Sequence, residues 1–233
     1  MGLCMRGIPA FGRLRQCAVT PYATQIPTAH TYSTLLLLGL LYDDLLGRTE
    51  EAVAFFRQAA DKYTGIGDLA GEGAARSNVA ITLHRLGRLA AARRECRRAI
   101  ECKAGQGLDA EPWTSWAILA AIEGDDGNLA ASRDAKEKAV ALYLAYRRDG
   151  GENHFPQGRV ALAVDRMLAA GEAKAAASFL EALLPRFEAA GVGGFIRALQ
   201  RIVAGSREPI LAEDPALDFS MIVEIRLLLE RLG

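Results

Sequence analysis

In the stretch "LAAARRECRRAI", Leu89, Ala92, Cys96, Ala99 and Ile100 recur at steps of three and four residues. At about 100° per residue they share one arc of about 100°, the signature of an amphipathic helix. Arg93, Arg94, Arg97 and Arg98 fill a separate arc of about 140°, with Glu101 inside it. Helical-period stretches of this kind recur along the chain, as in "SNVAITLHRL" and "WTSWAILAAI", and nothing reads as a strand.

The helical pattern is itself repeated. "LLGRTEEAVAFFRQAA", "RLGRLAAARRECRRAI" and "DDGNLAASRDAKEKAV" align at Gly47, Gly87 and Gly127, forty residues apart twice over. "AAGEAKAAASFLEALL" places Gly171 forty-four residues further on, the extra length lying in "RRDGGENHFPQG". Five positions after each glycine stands a small residue: Ala52, Ala92, Ser132 and Ala176. Twelve positions after it stand Ala59, Ala99, Ala139 and Leu183. Glycine accepts the left-handed conformation that ends a helix tightly. Small residues seven apart lie on one face and let a neighbouring helix approach closely. A fixed period of this length predicts a stack of helical hairpins.

Three regions follow. Residues 1–28, with Pro9, Pro21 and Pro27, read as a loosely ordered arm, 29–193 as the repeat array, and 194–233 as capping helices. The last region holds "GGFIRALQRIVAG" and "DFSMIVEIRLLLERLG" around a loop with Pro209 and Pro215. An end unit needs such cover for its apolar face. Asp218 or Ser220 can N-cap the final helix. The first 42 residues hold Arg6, Arg13 and Arg15 and no acid, a transit-peptide-like composition. "MGLC" faintly suggests acylation, but Arg6 stands where that signal wants Ser or Thr. "LLLLGLLY" is too short to span a bilayer.

Composition narrows the chemistry. The 28 basic and 28 acidic residues balance, so no global field favours nucleic acid or membrane. Cys4, Cys17, Cys96 and Cys102 show no CxxC or Cys/His spacing and read as reduced thiols of a cytoplasmic protein. His30, His84 and His154 lack a partner at ligand spacing. No nucleophile elbow, zinc-protease or phosphate-loop signature occurs. "GIGDLAGEG" follows a helix and lacks the Lys and Ser/Thr of such a loop. No catalytic residue, metal ligand or cofactor is expected. The arginine stripe lacks interleaved aromatics, so it reads as a solvated face, with Arg97 pairing Glu101; nucleic acid is not the expected partner.

The turn glycines and the small residues five and twelve positions later resemble the tetratricopeptide repeat (TPR) family. Eleven residues before each glycine, the family's large position holds Leu36, Arg76, Trp116 and Val160; seven before, its small position holds Leu40, Ala80, Ala120 and Val164. Gly39 falls eight before Gly47, so the first unit carries one extra residue. The resemblance covers about residues 31–190 and is strongest to forty-residue arrays of bacterial signalling and regulatory proteins. It implies an all-α fold: a right-handed TPR-like α-solenoid of about four helical hairpins with a C-terminal capping helix pair. It also implies a non-catalytic protein–protein interaction scaffold or adaptor that binds a peptide or helix of a partner in its concave groove. The alternatives are a regulatory sensor arm for a small peptide or ligand, and a fragment of a larger signalling ATPase- or protease-associated protein. Carried over, the groove positions are Ser77, Asn78, Ile81, His84 and Arg85 in unit two, Thr114, Ala117, Ala121 and Asp125 in unit three, and Asp165 in unit four. Asn78 matches an asparagine that contacts a peptide carboxylate in some relatives, but the accompanying Lys and Arg are absent. The expected ligand is an internal segment bearing both charges.

Overall fold

A computed structural model describes residues 28–153 and 155–233. Cys4, Cys17, His154 and the expected arm up to residue 27 lie outside them. Every regular element among the described residues is helical. The first hairpin comprises α1 (Thr28–Leu40), prolonged by a π-helical turn (Leu41–Leu45), and α2 (Thr49–Ile66). The next three are α3 (Leu69–Arg85) with α4 (Leu89–Lys103), α5 (Pro112–Asp125) with α6 (Leu129–Arg148), and α7 (Pro156–Ala169) with α8 (Ala173–Ala189). Then come α9 (Gly193–Val203) and α10 (Phe219–Leu232).

The repeat glycines make the turns. Gly47, Gly87, Gly127 and Gly171 have φ of 61°, 70°, 78° and 77°, where a side chain would be strained. At Gly87 two hydrogen bonds close the preceding helix: Gly87 N–H to His84 O at 2.9 Å and Arg88 N–H to Leu83 O at 2.9 Å. Gly127 and Gly171 repeat that pattern. The first unit differs, because Arg48 N–H reaches Tyr42 O at 2.8 Å, one residue further back. The extra residue of unit one is therefore absorbed as a π turn. It brings Gly39, not Leu40, to the small position, and the Phe56 ring lies where a Cβ on Gly39 would be, with Cε1 2.4 Å away.

The small residues let the helices meet. Ala52, Ala92, Ala176, Ala59, Ala99 and Ala139 are all fully buried. Ser132 Oγ donates to Ala120 O at 2.7 Å, tying α6 to α5. From α1 to α6 each helix packs on the next, and α3 also touches α5.

The regular succession changes after α6. α10 folds back against α6 and α7, bridging two helices that are consecutive in the chain, while α9 packs mainly on α8. The six residues Ser220–Ile225 are buried without interruption. Further along α10, Arg226, Glu230 and Arg231 are exposed. Asp218 is its N-cap, accepting from Met221 N–H at 2.9 Å and Ser220 Oγ at 2.6 Å. Ion pairs hold it in place: Arg147–Glu224 and Arg148–Glu230 to α6, and Arg231–Asp165 to α7.

Candidate functional site

The first helices of the hairpins α1, α3 and α5 lie side by side, and most of the groove residues sit on them. Several of these residues are already engaged with the neighbouring unit. Ser77 is buried, with its hydroxyl 2.9 Å from Ser115 Oγ and donating to Gly73 O at 2.9 Å. His84 Nε2 lies 2.7 Å from Asp125 Oδ2. Arg85 donates to Asp43 Oδ2 at 2.8 Å and to Asp44 Oδ1 at 3.2 Å. Asp43/Asp44, His84/Arg85 and Asp125 thus form a ladder of alternating charge at the ends of three successive first helices. Asp165 is taken by Arg231 of α10. The basic and acidic edges expected of the groove largely satisfy each other.

Thr114 is likewise engaged: Lys103, although a lysine, is buried, and its Nζ donates to Thr114 Oγ1 at 2.9 Å and Glu111 O at 3.2 Å. Burial holds the Lys103 ammonium below its ordinary pKa, opposed by the Glu111 charge. Four groove residues are not consumed by polar pairing. Asn78 is half-buried and no hydrogen bond joins its side chain to the described residues. Ile81 and Ala117 are half-buried, and Ala121 is exposed.

The arginine stripe is a solvated face only in part: Arg94, Arg97 and Arg98 are exposed, but Arg93 and Arg98 also reach carboxylates of other helices. Arg93 holds Glu123 of α5 through two hydrogen bonds, at 2.8 and 3.0 Å, and also reaches Asp126 at 2.5 Å. On the other flank Arg98 reaches Glu72 of α3 at 3.2 Å, beside Arg76 at 2.7 Å. Both glutamates are buried. Burial raises the Glu72 carboxyl, but hydrogen bonds from Arg76, Thr64 and Cys102 outweigh it, and the pKa falls to about 2. Hydrogen bonding to Arg93 lowers Glu123 against its burial. Glu101 pairs with Arg98 at 3.3 Å instead of Arg97, and Arg94 makes no ion pair among the described residues. Helical periodicity cannot reveal this, because the carboxylates come from other helices.

Two cysteines can be assessed: Cys96 and Cys102 are buried free thiols. Burial, first of several influences, pushes Cys96 up to about 12, leaving it an inert thiol. Among the described residues no group of His, Cys, Asp and Glu could hold a metal ion, and no helix is long and apolar enough to cross a membrane.

A cleft of about 380 Å³ lies between α4, α5 and α6, lined by Arg97, Ile100, Trp116, Leu119, Asp134 and Lys138, among others. Lys138 Nζ stands 4.3 Å from the centre of the Trp116 ring, a cation–π contact. No protein-family model matches this chain, and no curated protein matches it.

Proposed function

We propose that this chain is a non-catalytic interaction scaffold, a right-handed TPR-like solenoid whose first helices seat an amphipathic helix of a partner protein. The observation that carries this reading is the apolar row Leu40, Ile81 and Ala121, which occupy one register position on α1, α3 and α5. Contacts between the same helices bracket the row, with Ser77–Ser115 on one side and His84–Asp125 on the other. Leu37 and Leu40 are 66% and 43% exposed, so the row extends to an open apolar end. Covering one such leucine is worth about 1.5–3 kcal/mol. A helix with anchors at i, i+3 or i+4, and i+7 suits it. A ligand carrying both charges, the sequence expectation, is less favoured, since His84, Arg85 and Asp165 already have partners.

The test is quantitative capture of partners on wild-type, Ile81→Asp and Arg94→Glu baits. Partners lost with Ile81→Asp and retained with Arg94→Glu support the row; the reverse pattern overturns it. A specific feature favours a second reading, a sensor for a small ligand: the cleft over Trp116 has the size of a ligand pocket. That reading requires ligand-dependent Trp116 fluorescence that Lys138→Ala alters and Ile81→Asp does not.

A further inference from the structure

The cleft between α4, α5 and α6 has an equivalent place one repeat earlier, between α2, α3 and α4, where an ion pair occupies it. Forty residues before Trp116 and Ala135 stand Arg76 and Glu95. Arg76 donates to Glu95 Oε2 at 2.8 Å and to Glu72 Oε1 at 2.7 Å. Arg57, the counterpart of Arg97, lies 4.0 Å from Glu95 Oε1. Three helices thus meet at one carboxylate, with two cations beside it.

Between units two and three that carboxylate is missing. Ala135 stands for the glutamate and Trp116 for the arginine, and both line the cleft of about 380 Å³. Its floor is apolar, with Leu119 buried and Trp116 and Ile100 half-buried. Two cations line it, neither with a strong acidic partner. Among the described residues Arg97 comes no closer to a carboxylate than 3.8 Å, at Glu123, whose oxygens Arg93 already holds at 2.8 and 3.0 Å. Lys138 makes no ion pair among the described residues, although Asp134 lies one turn earlier on α6. Its Nζ rests over the Trp116 ring instead, 4.3 Å from the centre.

The acids of the lining do not supply the missing partner. Glu123 is committed to Arg93, and Glu101 to Arg98 at 3.3 Å. Asp134 is exposed, so salt and water screen its repulsion of an anion. An ammonium over an aromatic face and a guanidinium without a fork partner are both free to turn onto an incoming carboxylate. The indole face that Lys138 then uncovers suits a flat apolar body. A cationic ligand would instead compete with Lys138 for the ring and meet Arg97 as a like charge.

We propose that this cleft binds a small aromatic carboxylate, its ring laid on Trp116 and its carboxylate held by Arg97 and Lys138. The ligand carboxylate does between units two and three what Glu95 does between units one and two. The proposal rests on the reading of this cleft as a ligand site and is independent of the Leu40–Ile81–Ala121 row.

Titration of the full chain with naphthoate, followed by the Trp116 indole N–H signal in NMR and by calorimetry, tests the proposal. A saturable shift is expected, with neutral naphthylmethanol and cationic naphthylmethylamine binding at least about tenfold more weakly, as loss of a charge-assisted pair implies. Arg97→Ala and Lys138→Ala should each weaken naphthoate about tenfold. Arg94→Ala, the same charge change outside the cleft, should leave its affinity unaltered. Trp116→Arg/Ala135→Glu, which installs the pair of unit two, should abolish binding by calorimetry; if that double variant does not fold, the single variants decide. Equal binding of the neutral or cationic probe at Trp116 overturns the proposal while leaving the cleft a ligand site. No saturable shift from any of the three probes overturns both readings. Equal losses in Arg94→Ala and Arg97→Ala, a mere effect of net charge, overturn the proposal too.

Discussion

Arg93 grips Glu123 in a fork, Nε to Oε1 at 2.8 Å and Nη2 to Oε2 at 3.0 Å, and so fastens α4 to α5. Glu123 is 2% exposed, and its removal from water is tolerated because the guanidinium meets both of its oxygens. Arg93→Ala should therefore cost about 3 kcal/mol by leaving a buried charge with only weak partners. Arg94→Ala, one residue away and exposed, should change stability by less than about 0.5 kcal/mol. Urea unfolding of the two variants checks the contrast.

Glu72 makes stability depend on acid. Its folded pKa of about 2 lies below the ordinary 4.5, so its contribution is full above pH 4.5 and is lost as the pH falls towards 2. Melting temperature should decline across that window, and Glu72→Gln should flatten the decline while lowering stability at neutral pH by about 3 kcal/mol. Equal slopes in the two proteins would show that other carboxylates dominate.

The charge ladder is uneven. Asp125 is exposed while Asp43 is buried, so the two ends differ in what a lost partner leaves behind. His84→Ala should cost less than about 1 kcal/mol. Arg85→Ala should cost about 2 kcal/mol, because it deprives buried Asp43 of its cation. Thermal melts at neutral pH decide between them.

Gly39 and Phe56 form a matched pair. A Cβ at Gly39 would meet the ring of Phe56 at 2.4–2.7 Å, and Phe56 is 1% exposed, leaving the ring little room to move. Gly39→Ala should destabilise by about 1–3 kcal/mol through overpacking. In the double variant Gly39→Ala/Phe56→Leu part of that loss should return, since the register positions in unit two hold Ala80 with the smaller Cys96.

Deleting the residues after 205 should abolish cooperative melting. Met221, Val223, Ile225 and Leu228 share one core cluster with Trp113, Tyr143 and Phe195, so loss of α10 opens the packing of α5–α7 as well as the chain's last segment. A monomeric truncation product that melts as sharply as the full chain would refute that arrangement.

The turns and hairpins were legible because glycine announces them: Gly47, Gly87, Gly127 and Gly171 each adopt the positive φ their spacing suggested. The π turn was foreshadowed by the one-residue offset of Gly39. The arginine partners were not legible, since a helical wheel for Leu89–Lys103 cannot see Glu72 or Glu123 on other helices. For the same reason the groove residues His84, Arg85 and Asp165 looked available when they were paired. The place of α10 was hidden as well: a sequence shows that "SMIVEI" is apolar on nearly every side, but not which helices enclose it.

The insertion of α10 divides the order in which the molecule can fold. In the first units the tertiary contacts join residues about one repeat apart, as in Ser77–Ser115, 38 residues, and His84–Asp125, 41 residues. Those hairpins can dock successively as the chain is synthesised. Tyr143 and Trp113 must wait, because the pairs that close their side of the core, Arg147–Glu224 and Arg148–Glu230, span 77 and 82 residues. Closing such long loops slows folding and leaves apolar surface uncovered meanwhile. The third and fourth hairpins are thus the stretch of the nascent chain with most to gain from a chaperone, although they look as regular in sequence as the two before them.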